Sequence, residues 1–265
     1  MDSKKILLIG ANSYIARSFE KYCKEMNHTF LYIDKVRASN EQWKTVSYKE
    51  YDSVIMFAAI VHRKERPEME RLYMEVNCNL PVHIAKEAKK AGVKQFIFLS
   101  TAAVYGSTYT RITKDSKPKP ETMYGRSKYQ AEQELLELQD AMFRIAIVRP
   151  PKVYGEGCKG NFVRLNQLAK YTILFPKVHN KQSMIHVDKL SECLLTIVSN
   201  EKKGFFWPQD DTYMDLAQYV VETRKRDGKK TILVPGFAKL IRFLAKHISV
   251  FRKMFGDLYY DRTLY

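Results

Sequence analysis

Tyr124 and Lys128 stand four residues apart in the run Tyr124-Gly125-Arg126-Ser127-Lys128, the spacing that stacks two side chains on one face of a helix. A phenol beside an ammonium is a proton-transfer pair. The positive charge lowers the phenol's pKa, and a phenolate exchanges a proton with a substrate hydroxyl or carbonyl while hydride moves to or from a nicotinamide. Upstream, Ser100-Thr101 follows the apolar run QFIFL and offers hydroxyls where such a strand would end. A second group of residues suits phosphate. Gly10-Ala11-Asn12-Ser13-Tyr14-Ile15-Ala16 follows the apolar run KKILLI, and a strand-to-helix turn here aims backbone N–H groups and a positive helix end at a pyrophosphate. Of the three glycines usual in such a turn only the first is present, with Ser13 and Ala16 in place of the others. Asp34 closes the next apolar run, about 20 residues beyond the turn, where a carboxylate accepts hydrogen bonds from an adenosine ribose. Lys35 and Arg37 follow at once and suit a 2′-phosphate instead. NAD is the cofactor expected, with NADP as the alternative.

To carry these groups the chain must alternate strands and helices, and its pattern does so. Apolar runs at 4–9, 29–33, 53–59, 95–99 and 143–148 read as strands, and such uninterrupted runs suit parallel strands covered on both faces. Helical spacing appears at 13–26, at 68–91 closed by Gly92, and at 124–139. The βαβ rhythm predicts an α/β fold, a Rossmann-type doubly wound parallel sheet with right-handed crossovers. The expected division is a dinucleotide-binding domain over 1–150, with 187–200 packing back on it, and a smaller substrate-binding region over 151–265.

Composition excludes several classes. Of 265 residues 45% are hydrophobic and 28% charged, ordinary globular usage that excludes disorder and collagen-like chains. The four cysteines lie far apart with no C-x-x-C pair, which argues against a disulfide framework or a zinc site. His62, His83 and His186 show no ligand spacing, so no metal is expected. The net charge of +16 is spread along the chain, with no basic tail, and no nucleic-acid partner is expected. No window has the apolar length of a spanning helix and the first residues do not read as a secretory leader, so the expected location is cytoplasmic.

Taken in order, GANSYIA, Asp34, FAAIVH, EVNCNLPVHIAKEAKKAGVKQFIFLSTAAVYG, YGRSK, RPPKVYGEG and MIHVDKL resemble the extended short-chain dehydrogenase/reductase family, the NAD-dependent epimerase/dehydratase type that modifies nucleotide sugars. The resemblance implies that Tyr124 is the acid/base, that Lys128 tunes it and holds the nicotinamide ribose, and that Thr101 binds the C4 oxygen of the sugar. It adds Asn77, Ala58, Ala59, Pro150 and Val153 to the cofactor contacts expected of Gly10, Asn12, Ser13, Tyr14, Ile15 and Asp34. Read alone, Thr101 could equally cap a turn and Asn77 could be a polar helix residue without a ligand.

The same resemblance bears on the reaction. Dehydratases of the family place an acidic pair after the catalytic hydroxyl, whereas Ala102 and Ala103 follow Thr101. That leaves a 4-epimerase or a 4-ketoreductase acting on a nucleotide-diphosphate sugar, UDP-linked by analogy, in bacterial polysaccharide synthesis. A non-catalytic dinucleotide-binding sensor of the same fold is the alternative. Lys152 stands where many epimerases have an Asn on the nucleotide, and Gln182 where they have an Arg for the diphosphate. Arg164 or Lys181 would then supply that charge, with Asn161 and Phe162 touching the nucleotide. A homodimer through the helices at 68–91 and 124–139 follows by family analogy. The basic amphipathic stretch 236–255 is expected to form one helix, packed on the substrate region or lying on an anionic membrane surface.

Overall fold

The computed structural model describes residues 3–26, 31–39, 42–61, 65–158 and 161–264. In chain order the first half holds β1 (Lys4–Ile9), α1 (Tyr14–Glu25), β2 (Leu31–Val36), β3 (Ser53–Met56), α2 (Glu70–Met74), α3 (Leu80–Lys90), β4 (Gln95–Leu99), β5 (Arg111–Ile112), α4 (Met123–Glu137) and β6 (Arg144–Val148). The second half continues with β7 (Lys152–Tyr154), α5 (Asn161–Tyr171), β8 (Leu174–Pro176), β9 (Met184–His186), α6 (Val187–Ser199), β10 (Gly204–Phe206), α7 (Leu216–Arg226), β11 (Ile232–Val234), α8 (Ala238–His247), α9 (Ser249–Phe255) and β12 (Tyr259–Tyr260).

Six strands form one parallel sheet in the order β10-β6-β4-β3-β1-β2, the doubly wound topology expected. Alternate residues of each strand serve opposite faces. Leu7, Ile9, Phe96 and Phe98 pack under α3 and α4. Ile6, Leu8, Ile97 and Leu99 pack under α1 and α6. Each fully buried side chain of this kind contributes about 1.5–3 kcal/mol, which is why the strands are apolar throughout.

Three details depart from the sequence reading. The second strand runs over 31–36 and does not end at Asp34: Gly10 and Ala11 donate their N–H groups to the Val36 carbonyl, extending the pairing two residues further. The helix at 68–91 contains a π turn, Glu75–Asn79, between α2 and α3. The stretch 236–255 is two helices, because Ile248 adopts an extended backbone that ends α8 and caps α9.

Candidate active site

The chain leaves β1 toward β2 on one side and returns to β3 on the other, so the sheet reverses direction between β1 and β3, where doubly wound folds open a ligand crevice at the strands' carboxyl ends. Gly10 lies there. Its φ is +100°, and a Cβ on it would stand 2.6 Å from the Ala58 nitrogen, so the backbones of the two strand ends meet only because residue 10 has no side chain. Ser13 has an ordinary extended φ of −63° and caps α1 by accepting the Ala16 N–H at 3.3 Å. The second glycine of the usual pattern is therefore dispensable: its place is filled by a cap. Ala16, 2% exposed, lets α1 lie close on the sheet.

The amides of Tyr14 and Ile15, at the positive end of α1, have no acceptor among the described residues. The Tyr14 hydroxyl is buried without a hydrogen-bond partner among the described residues, and burial pushes it up to about 12. A turn with free amides, an orphaned hydroxyl and a glycine-permitted close approach fits a dinucleotide diphosphate. Asn12 is exposed beside the turn and lines a cavity of about 600 Å³ with Ala11, Arg17, Lys35 and Arg37. Asp34 lies two residues short of the strand end; it accepts a hydrogen bond from the Tyr51 hydroxyl at 2.9 Å and sits 3.5 Å from the Lys5 ammonium. Arg37, just beyond β2, stands at the mouth instead.

At the neighbouring strand end, α4 runs down beside β4 in a ladder of three contacts. The Thr101 hydroxyl stands by the Tyr124 phenol and lowers its pKa, Lys128 Nζ donates to the Leu99 carbonyl at 2.9 Å, and Ser100 Oγ donates to Glu132. Residues 124, 128 and 132 are successive turns of one helix face. Gly125 makes the approach achievable, since a Cβ there would stand 2.7 Å from the Ala103 carbonyl oxygen. The Glu65 carboxylate accepts the Met123 and Tyr124 amides at 3.0 Å each and Thr122 Oγ1 accepts the Gly125 N–H at 3.0 Å, so the first turn of α4 is fixed.

The electrostatics differ from the simple pair expected. Burial pushes the Tyr124 phenol up to about 12, against the opposing hydrogen bond from Thr101. Burial also brings the Lys128 ammonium down to about 7, with the Glu132 charge acting the other way. Lys128 is turned to the Leu99 carbonyl and lies 4.2 Å above the Phe98 ring, so in this state it does not lower the phenol. Thr101 caps the turn, its Oγ1 accepting the Ala103 N–H at 3.1 Å, and its hydroxyl also stands by Tyr124.

Asn77 is fully buried in the π turn. It accepts the Ile60 N–H at 2.8 Å and donates to the Ile60 carbonyl and to Ser127 Oγ, both at 3.2 Å. Its amide is thus spent in tying the loop after Ala58-Ala59 to α4. Pro150 is buried and its carbonyl accepts the Ala102 N–H at 3.0 Å, while Val153 pairs with Ile185 beside it. Lys181 is exposed, its ammonium 5.8 Å above the Tyr259 ring. Asn161, Phe162 and Arg164 open α5, and their side chains lie outside the described residues, as does His62.

Sequence reading missed the groups beneath the ladder. Glu132, 1% exposed, and Arg149 form a buried two-point ion pair; Arg149 Nη1 donates to the Tyr105 hydroxyl at 2.7 Å, and Trp207 Nε1 donates to the same oxygen at 2.8 Å. The Tyr260 hydroxyl donates to the Arg149 carbonyl at 2.7 Å, linking β12 through Arg149 and Glu132 to α4. The one local signal was Glu132, one turn beyond Lys128; its partner is distant in sequence.

Comparisons with known proteins agree with this geometry. Residues 6–204 match the NAD dependent epimerase/dehydratase family. The chain is 31% identical over 236 residues to a UDP-glucose 4-epimerase of Vibrio cholerae, covering 84% of this chain and 71% of that protein. It is 25% identical over 244 residues to an N-acetyl-α-D-glucosaminyl-diphospho-ditrans,octacis-undecaprenol 4-epimerase of Escherichia coli O157:H7, covering 85% and 73%. A solved dTDP-4-dehydrorhamnose reductase of Clostridium acetobutylicum superposes with a TM-score of 0.72 at 23% identity, covering 88% of this chain and 83% of that one, and so shares the fold. On the ordered strand-end residues and on a family match across three quarters of its length, the chain belongs to the NAD dependent epimerase/dehydratase family.

Proposed function

We propose that this chain is a cytoplasmic NAD(P)-dependent enzyme performing redox chemistry at C4 of a sugar carried on a diphosphate, as a 4-epimerase or a 4-ketoreductase of UDP-linked sugars. The observation that carries the reading is the α4–β4 ladder, which brings a hydroxyl, a phenol and an ammonium to one strand end. The two relatives described above act, by their names, at position 4 of a sugar on a diphosphate.

When bound, NAD or NADP takes up or delivers the hydride. Thr101 holds the C4 oxygen, and Tyr124 takes or returns its proton. With its pKa at about 12 the phenol keeps its proton at neutral pH, the state that protonates a C4 ketone. Taking a proton from a C4 alcohol needs the Lys128 ammonium to swing from the Leu99 carbonyl toward the phenol. Lys128 in that position would also hold the nicotinamide ribose. The free amides at Tyr14 and Ile15 would hold the pyrophosphate, Ala58 and Ala59 would leave room for it, and Pro150 and Val153 would line the nicotinamide side. At the adenosine end, Asp34 holds a ribose or Arg37 a 2′-phosphate.

The reading divides the chain near residue 150 into cofactor and substrate regions. It also includes a homodimer through α2, α3 and α4, and contact of 236–255 with a membrane. Identifying by mass the nucleotide released from freshly purified protein tests it. Tightly retained NAD favours the epimerase, and reversible uptake of NADH or NADPH favours the ketoreductase. Failure to retain or bind either form overturns the reading, and a bound nucleotide with no sugar turnover leaves only a binding protein.

A further inference from the structure

The substrate end of the molecule carries a surface that the proposed chemistry does not use. Among the described residues, Phe237, Leu240, Phe243 and Ile248 are 49%, 53%, 59% and 42% exposed within twelve residues of chain. On α8, Leu240, Phe243 and His247 form one stripe at i, i+3, i+7, and Lys239, Arg242 and Lys246, all exposed, form the strip beside it. Only Ile241 of this helix is buried. From Lys225 to Lys253 the chain has nine Lys or Arg against one acidic residue, Asp227, and the nine are exposed. An apolar stripe flanked by cations is complementary to an anionic lipid surface, where apolar side chains enter the acyl boundary and cations meet headgroups.

The helix that follows is bolted to the substrate strands. At the end of α9, the Met254 and Gly256 carbonyls accept from Gln182 Nε2 at 3.1 and 2.9 Å and from Asn180 Nδ2 at 3.2 and 3.4 Å, and the Lys253 carbonyl accepts from Lys152 Nζ at 3.3 Å. Lys152 also donates to Gln182 Oε1. Arg252 Nη1 donates to Ser107 Oγ at 2.9 Å, one residue past the Thr101–Gly106 segment. The helix therefore spans from β7 and β9 to the loop after β4. Lys152 and Gln182, which depart from the residues many epimerases have on the nucleotide, are spent on α9, while exposed Lys181 and Lys253 are left to pair with a diphosphate.

We infer that α8 seats the protein on an anionic membrane and that the sugar reaches the site on a lipid diphosphate carried by that membrane, with no nucleotide attached. The inference rests on the proposed C4 chemistry and puts a lipid diphosphate in place of UDP as the sugar's carrier. The sugar enters against Thr101 and Tyr124, the diphosphate lies at α9, and the lipid chain leaves along α8 into the bilayer.

The test uses the full-length protein with vesicles of phosphatidylcholine alone or with phosphatidylglycerol, and two substrates, UDP-N-acetylglucosamine and polyprenyl-diphosphate N-acetylglucosamine. The protein is expected to float with anionic vesicles and not with neutral ones. The double substitution Leu240→Asp and Phe243→Asp, checked for unchanged melting and NADH binding, should reduce flotation at least about tenfold, as should Lys239→Glu with Lys246→Glu. Turnover of the lipid-linked sugar should exceed that of the UDP-linked sugar at least about tenfold, and the gap should close in the double variant. Equal flotation of variants and wild type, or indifference to vesicle charge, overturns the membrane seat. Faster turnover of the UDP-linked sugar overturns the lipid carrier while the C4 reading stands. Turnover of neither substrate removes both.

Discussion

Two amphipathic helices break the usual rule of amphipathicity in opposite directions. α4 turns charged residues inward: Lys128 and Glu132 are each 1% exposed. α8 turns apolar residues outward, with Phe243 59% exposed. In α4 the Lys128 ammonium is met by the Leu99 carbonyl, Glu132 by Arg149, and Ser127 by Asn77 and the Tyr124 carbonyl, which is what makes burying them tolerable. In α8 the apolar stripe has no such cover among the described residues. Burying charge costs stability and exposing apolar area forfeits it, so each departure marks a helix face committed to something other than folding.

Tyr124→Phe should show the largest effect of breaking the inward pattern: turnover falls roughly 10²- to 10⁴-fold, the usual worth of a positioned acid/base, while cofactor titration is unchanged. Full activity in this variant would remove the phenol from the chemistry. Glu132→Ala leaves the Arg149 guanidinium buried and unpaired, at a cost of about 3–5 kcal/mol, read as a fall of about 10 °C in Tm.

The third effect is a pH dependence. Lys128 has a folded-state pKa of about 7, below its ordinary 10.5. Below pH 7 both folded and unfolded states hold the proton and the burial penalty is fully present. Between about 7 and 10.5 the unfolded chain binds more protons, so stability rises with pH across that window. Chemical denaturation of the cofactor-free protein at pH 7 and pH 9 should show a gain on the order of 2 kcal/mol that Lys128→Met abolishes. The smallest effect belongs to α8, where Leu240→Asp should change stability by no more than about 0.5 kcal/mol because the side chain is already in water. A large loss there would mean that the outward face is covered in the folded protein.

The sequence carried the parallel sheet because each buried strand is a continuous apolar run; QFIFL and KKILLI become β4 and β1 without a change of boundary. The sharing of one helix face by Tyr124 and Lys128, and the place of Thr101 just past a strand, were legible for a similar reason, since helical spacing and a strand end are local facts. What stayed hidden depends on distant partners. Asp34 was placed at a strand end because its own run of apolar residues stops there, but pairing with β1 carries the strand on to Val36. Glu65 fixes α4 from 58 residues away, and Arg149 meets Glu132 across 17. Burial raises the Tyr124 pKa, and Lys128 does not offset it because its ammonium is given to the Leu99 carbonyl; neither the burial nor that contact can be read from spacing.

The central claim, that the α4–β4 ladder performs redox chemistry at C4, is tested most directly by supplying the purified protein and cofactor with a hexose diphosphate conjugate, on either carrier, and with its 4-keto form, and following the ring protons by NMR. The predicted result is a product changed at C4 alone, formed by the wild type and not by Tyr124→Phe. A product altered at any other carbon, or one formed equally well by Tyr124→Phe, would contradict it.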